Sequence, residues 1–347
     1  AGCESLLLCA ISHPLQSNHP QSNLKTAMSM LLIVTGASRG LGQAVATAFV
    51  RNEASVGVPL QSVRALLLAR TVDGMLETEK QMRAAAKEAQ VNLDVSIHVI
   101  DLTLTSELDE SLNGIFECVS PVAHFDWKIL VNNAGTLGHL GPSVEMNSLP
   151  ELQQCVDTSI TSSIWISSRF CRRFARPNNP EPNSRHPPPV SSASSNSDND
   201  VAMNGTTANH HHHQHHQHHP QQHCTVVNMT SLCAINPFKT MAVYSATRAA
   251  REMFHLVLSQ EEADRSNARV LNYAPGACQT DMNTQLRQAP RLDKVTQDFF
   301  QRSFDEKTLI QPADTSRRLV QFVLQDTFES GKHYDYWDLV SESMENI

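Results

Sequence analysis

The residues with the clearest chemical content form the string Thr35-Gly36-Ala37-Ser38-Arg39-Gly40-Leu41-Gly42. Glycines at this spacing let a chain turn tightly and approach a diphosphate closely, and amides at a helix N-terminus meet its negative charge. A glycine cluster alone marks no more than a tight turn. Here an apolar run precedes it and a helical pattern follows, which is the context a dinucleotide site requires. Two arginines extend this reading. Arg39 lies inside the string, and Arg70 closes the next apolar run, Leu66-Leu67-Leu68-Ala69-Arg70-Thr71. An acidic residue at that second position would bond a ribose 2′-hydroxyl, whereas arginine accommodates a 2′-phosphate. The sequence therefore points to NADPH/NADP as cofactor.

The elements that must position these residues alternate strand and helix. Apolar runs at 31–35, 65–69, 95–100, 129–131, 225–229 and 269–273 are too short for helices and read as buried strands. Helical spacing or composition covers 39–51, 75–90, 152–174 and 244–262. Strands separated by helices imply right-handed crossovers and a doubly wound parallel sheet of Rossmann type, an α/β fold. Two stretches fall outside it. Residues 1–30 carry few periodic apolar positions and are expected to be a disordered extension. Residues 176–223 hold 7 of the 17 prolines and 10 of the 17 histidines, with no Leu, Ile, Phe, Tyr or Trp, and cannot bury enough surface to offset their ordering entropy. The expectation is one domain over 31–347, interrupted by a low-complexity loop that leaves the sheet at the edge remote from the ligand crevice. The histidines at 210–223 invite a metal reading, but Gln interrupts them and no Cys or carboxylate is regularly spaced among them, so no metal site is expected.

Composition narrows the function. With 35 acidic against 27 basic residues and a net charge of −8, no basic tract suited to nucleic acid is present. The apolar run at 6–11 is too short to span a bilayer and lacks the basic flank of a signal peptide. The eight cysteines form no CxxC pair, which fits free thiols in a reducing compartment. A cytoplasmic protein with no membrane or nucleic-acid partner is the expectation.

The ordered motifs resemble the short-chain dehydrogenase/reductase family. Asp101-Leu102 resembles the pair that touches the adenine, and Asn132-Asn133-Ala134-Gly135 matches a family signature. The family's Ser, its Tyr thirteen residues later and its Lys four further on fall at Ser231, Tyr244 and Arg248. A carbonyl accepting hydride needs a proton donor, and a tyrosine serves if its pKa of about 10 is pulled toward neutrality. A cation one helical turn away, on the same face, supplies part of that shift. Two positions depart from the family: Arg248 stands where Lys is usual, and Ser159 where Asn is usual. Arginine keeps the charge but is bulkier and gives up no proton.

Further stretches resemble the family's pterin-reducing members: Thr225 to Ala234 with Pro237-Phe238-Lys239, then Val270 to Gly276 with Thr280-Asp281-Met282, and finally His333-Tyr334-Asp335-Tyr336-Trp337-Asp338. By matched position, the resemblance implies that Gly36, Ala37, Ser38, Arg39, Gly40, Leu41, Gly42, Arg70, Thr71, Asp101, Leu102, Asn132, Ala134, Gly135, Arg248, Cys278, Gln279, Thr280, Asp281, Met282 and Asn283 contact the cofactor. It places Ser231, Leu232, Tyr244, Gly276 and Asp335 at a pterin substrate, and Ser231, Tyr244, Arg248 and Ser159 in catalysis. It also implies a homodimer built on helices 152–174 and 244–262. The alternatives are a carbonyl or diketone reductase of other specificity, and a cofactor- or pterin-binding protein whose turnover is impaired by Arg248 and Ser159.

Overall fold

The computed structural model describes residues 27–51, 59–119, 121–177 and 222–345. Seven strands, β1 (Met28–Thr35), β2 (Leu60–Ala69), β3 (Asn92–Val99), β4 (Trp127–Asn132), β5 (His223–Met229), β6 (Ala268–Ala274) and β7 (His333–Asp335), form one sheet. Their order is β3-β2-β1-β4-β5-β6-β7, and every pairing is parallel. The chain begins in the middle, runs out to β3, then returns to the other side of β1. That reversal opens a crevice at the carboxyl ends of β1 and β4, where doubly wound sheets bind ligands.

Helices cover both faces. On one lie α1 (Gly40–Arg51), α2 (Val72–Ala89) and, from later in the chain, α9 (Pro312–Gln325). The other carries α3 (Thr105–Glu117), α5 (Ser162–Phe174) and α6 (Ala242–Arg265). Shorter helices α4 (Leu149–Val156), α7 (Asp281–Gln288), α8 (Lys294–Asp305) and α10 (Tyr336–Glu345) surround the carboxyl rim. In β1, Leu32 and Val34 join the first core while Leu31 and Ile33 join the second, so both faces are apolar. This two-sided burial is why the strands read as continuous apolar runs rather than alternating ones.

The structure moves several sequence boundaries. Strand β1 starts at Met28 rather than after residue 30, because Met28 and Met30 are buried beneath the first helical layer. At the loop expected over 176–223, four residues belong to the fold. Pro177 bridges to Ser266, the Arg176 amide donates to Asn267 Oδ1 at 2.7 Å, and Lys128 Nζ donates to Gln222 Oε1 at 2.8 Å. His223 opens β5 with its ring stacked on Trp127, centroids 4.0 Å apart. These ties gather at the amino ends of β4, β5 and β6, the edge opposite the crevice. The extension over 1–26 and the remaining loop, including most of the histidine tract, lie outside the described residues. The helix expected over 152–174 is interrupted: α4, capped by Ser148, gives way to a π-helical turn at Asp157–Thr161 before α5 begins. Among the described residues no helix is long and apolar enough to cross a membrane, and no cluster of His, Cys, Asp or Glu could hold a metal.

Candidate active site

The glycine loop is built by close approach. Gly36 has φ +67°, and a Cβ at Gly42 would stand 2.3 Å from the Gly36 carbonyl, so neither position admits a larger residue. The loop is tied to its neighbours by hydrogen bonds. Asn133 Nδ2 donates to the carbonyls of Thr35 at 3.0 Å and Gly36 at 3.2 Å, while Thr35 Oγ1 accepts from the amides of Asn133 and Ala134. From α2, Thr78 Oγ1 donates to the Ala37 carbonyl at 2.7 Å, and Ser38 lies against Gly74. Helix α1 then starts at Gly40 with no acidic residue in its first turn, leaving its amide end open to an anion. Leu41 packs against the core beneath.

Two arginines flank this loop. Arg39 pairs with Asp281 at 2.9 Å, both side chains well exposed; such surface pairs contribute about 0–1 kcal/mol, so a phosphate can displace the partner at little cost. Arg70 sits exposed at the carboxyl end of β2, followed by Thr71 at the N-cap of α2. A glycine cradle, an open helix N-terminus and two cations fit a dinucleotide, and the second arginine fits a 2′-phosphate. The loop after β6 comes to the same place, since the Thr280 methyl faces Gly40 and Asp281 meets Arg39.

The remaining motif residues divide. Asp101 Oδ1 accepts from the Thr103 amide and hydroxyl, which lowers its pKa, the backbone bond being the larger cause. Leu102 points into the core beside α3, so only its backbone faces the crevice. Asn132 is buried with its amide spent on Ser167 Oγ at 2.6 Å, facing α5 rather than the glycine loop. Cys278 donates to the Pro275 carbonyl, and burial pushes its thiol up to about 12. Gln279 accepts from Gln311, and buried Asn283 accepts from Arg287. Met282 packs with the apolar cluster around Tyr244.

The Ser, Tyr and Arg of the motif lie on α6 and the turn after β5. Tyr244 is buried among Leu137, Cys233 and Met241, and the Arg248 guanidinium lies 4.9 Å from its ring centroid. Ser231 begins a short turn whose Cys233 amide donates to Ser231 Oγ at 3.2 Å. The serine hydroxyl proton therefore stays available to another acceptor. Arg248 donates through Nη1 to the Met229 carbonyl at 3.0 Å, while its buried Nε has no partner in the described structure. A Cβ on Gly135 would stand 2.6 Å from Arg248 Nη2, so glycine at this point of the motif makes room for the bulkier cation. Ser159, fully buried in the π turn, accepts from the Thr136 amide at 3.4 Å. π turns recur at functional sites because they release and re-aim backbone groups. Leu232, next to Ser231, is exposed, and Gly276, with φ +75°, packs directly against the Ile310 side chain.

Beneath the site lies a polar layer that the motifs do not announce. Arg251 is wholly buried and donates through Nε, Nη1 and Nη2 to Asn228 Oδ1 (3.0 Å), the Ala134 carbonyl (2.9 Å) and the Asn132 carbonyl (2.6 Å). Burial, followed by the charge of Arg248, pushes its pKa down. His255 Nδ1 donates to the Arg251 carbonyl at 2.7 Å, leaving Nε2 to accept from Ser167, which in turn accepts from Asn132. This arrangement needs a neutral ring, and burial holds the His255 pKa down at about 3. Finally, Asp335 ends β7 half-buried, with Oδ1 accepting from the Trp337 amide at 3.0 Å. Burial raises its pKa, partly offset by that amide.

Comparison with known proteins agrees with this geometry. The short chain dehydrogenase family model matches residues 30–179 and 195–291. The chain is 29% identical to sepiapterin reductase of Rattus norvegicus over 308 residues, covering 88% of this chain and 96% of that protein. It is 22% identical to benzil reductase ((S)-benzoin forming) of Bacillus subtilis, covering 88% and 97%. The crystal structure of the KRED1-Pglu enzyme superposes with a TM-score of 0.60 at 17% identity, covering 88% of this chain and all of that one. The glycine loop at the switch point, the Ser–Tyr–Arg set above it and the family match together show that the chain is an oxidoreductase belonging to the short-chain dehydrogenase family.

Proposed function

We propose that this protein reduces a side-chain carbonyl of a pterin, of the sepiapterin or 6-pyruvoyl-tetrahydropterin type in tetrahydrobiopterin synthesis, with NADPH as reductant. Asp335 carries the reading. Its half-buried carboxylate stands at the carboxyl end of the sheet, on the rim that holds Ser231 and the glycine loop. A pterin's 2-amino group and ring N–H are adjacent donors, and a carboxylate accepts such a pair bidentately. The similarity to rat sepiapterin reductase supports the same substrate class.

When bound, the reduced nicotinamide supplies the hydride that forms the new C–H bond at the carbonyl carbon. Ser231, its oxygen already accepting from Cys233, turns its hydroxyl proton toward the carbonyl oxygen and orients it. Tyr244 gives that oxygen its phenolic proton, so the carbonyl becomes an alcohol, and the proton is restored from solvent. Arg248, stacked on the Tyr244 ring, offsets the negative charge left on the phenol oxygen. Arg39 and Arg70 select the 2′-phosphate. Exposed Trp165, Met253 and Val257 on α5 and α6 support pairing of two subunits through these helices.

The test is oxidation of NADPH by the purified protein with sepiapterin and, separately, with benzil. Turnover of sepiapterin at the higher kcat/KM supports the reading. NADPH binding without sepiapterin turnover refutes it, and a clear preference for benzil favours a diketone reductase.

A further inference from the structure

Strand β7 is an edge strand of three residues, paired with β6 only at His333, Tyr334 and Asp335. So short a ladder holds its place weakly, and side-chain ties decide where its end lies. The main tie comes from Glu252, two helical turns beyond Tyr244 on α6. Glu252 Oε1 meets His333 Nδ1 at 2.8 Å, and Oε2 accepts from Thr230 Oγ1 at 2.6 Å. Both partners of the ion pair are largely buried, with side chains 14% and 16% exposed. Each oxygen thus holds the neighbour of a proposed substrate group: Thr230 precedes Ser231, and His333 stands two residues before Asp335 on the same side of β7. Among the described residues no hydrogen bond or ion pair joins Glu252, Thr230 or His333 to the glycine loop or to the Tyr244–Arg248 pair, so the cofactor site gives no reason for a buried carboxylate here.

We propose that Glu252 is a positioning residue that sets the separation between Ser231 and Asp335, gripping Thr230 with one carboxylate oxygen and His333 with the other. The assignment rests on the pterin reading above, since it gives the ring end and the carbonyl end of one substrate a common anchor. Protonation of His333 strengthens the grip. The charged groups facing His333 are Glu252 from α6, Asp335 on its own strand and Asp338 from α10. Burial draws its pKa down, but the Glu252 hydrogen bond and these three negative charges more than offset it, and the pKa lies above the ordinary histidine value. The charged pair is therefore complete below that raised pKa and is lost as pH rises through it.

The test uses the full chain with NADPH, and Glu252→Gln, His333→Ala, His333→Gln and Asp335→Ala variants. Sepiapterin Kd and KM, and benzil KM, are measured from pH 6 to 9. Glu252→Gln and His333→Ala should raise sepiapterin Kd and KM about tenfold, the value of one charge-assisted hydrogen bond. The change in kcat and in benzil KM should stay within about threefold. The rise of sepiapterin KM with pH should flatten in both variants, and His333→Gln, which keeps a donor, should recover part of the loss. In the Asp335→Ala background, Glu252→Gln should add little to sepiapterin Kd. Equal losses on both substrates, or effects additive with Asp335→Ala, overturn the assignment while the pterin reading stands. A wild-type protein that reduces benzil but neither binds nor reduces sepiapterin refutes the pterin reading, and the assignment with it.

Discussion

Replacing Arg251 by lysine keeps the charge and removes the fork. In the native structure three acceptors on two segments converge on one guanidinium: Asn228 on β5, and the carbonyls of Asn132, which ends β4, and of Ala134 just beyond it. An ammonium on a shorter stem reaches at most one of them, leaving two buried acceptors without their donor. Hydrogen bonds to charged groups contribute roughly 1.5–3 kcal/mol each. Lysine recovers part of this because it can shed its proton when buried, so we expect a net loss of about 3 kcal/mol. For a domain of this size that lowers Tm by roughly 6–12 °C. The same change loosens the segment from which Asn133 holds the Gly36 turn, so NADPH Kd should rise about tenfold. Thermal unfolding and cofactor titration of wild type and Arg251→Lys provide the measurement. A Tm within about 2 °C of wild type, with unchanged NADPH affinity, would refute the claim that Arg251 holds the loop. Arg251→Met more stable than wild type would show instead that burying the charge costs more than its three bonds return.

His255 should make the fold acid-sensitive. Its folded pKa of about 3 lies below that of an unfolded histidine, so as pH falls from about 6.5 toward 3 only the unfolded chain gains the proton. Stability drops by up to ~1.4 kcal/mol per pH unit in that window, and denaturant midpoints measured against pH should show a shallower acid limb in His255→Gln. Gly135→Ala should cut kcat about tenfold or more, because its Cβ displaces the Arg248 guanidinium; activity should return in the Gly135→Ala/Arg248→Lys double variant, whose lysine has no atom in that space, and steady-state kinetics of the four proteins decides it. Arg70→Ala should weaken NADPH roughly 10- to 100-fold and NADH by less than about threefold, read by fluorescence titration; equal effects would remove Arg70 from 2′-phosphate recognition.

The sheet was legible because burial on both faces writes itself as apolar runs, and the glycine loop because close backbone contact tolerates no other residue. What escaped the sequence has physical causes. Strand β7 is three residues of mixed type, and only its place beside β6 makes it a strand. The π turn carries no local signature, since Asp157–Thr161 reads as ordinary helix. Asn132 and Asn133 are neighbours in one motif, yet adjacent positions at a strand end point opposite ways: Asn132 serves α5 and Asn133 serves the Gly36 turn. A motif names both and cannot divide their work. Arg251, read by type, belongs at the surface; it is buried because three acceptors meet there.

By itself the sequence determined the order of strands and helices, the glycine turn and the helical spacing that stacks Arg248 on Tyr244, because each depends on residues close in the chain. Tertiary structure alone decided which distant groups meet. Glu252 reaches His333 across 81 positions and Thr230 across 22, and Arg251 reaches back 119 positions to Asn132. Such contacts depend on how helices lie against the sheet, and local patterns carry that packing only in part. Those meetings then become chemistry: burial holds His255 neutral and presses Asp335 toward its protonated form, while the Glu252 hydrogen bond and the surrounding carboxylates outweigh burial and favour the protonated form of His333.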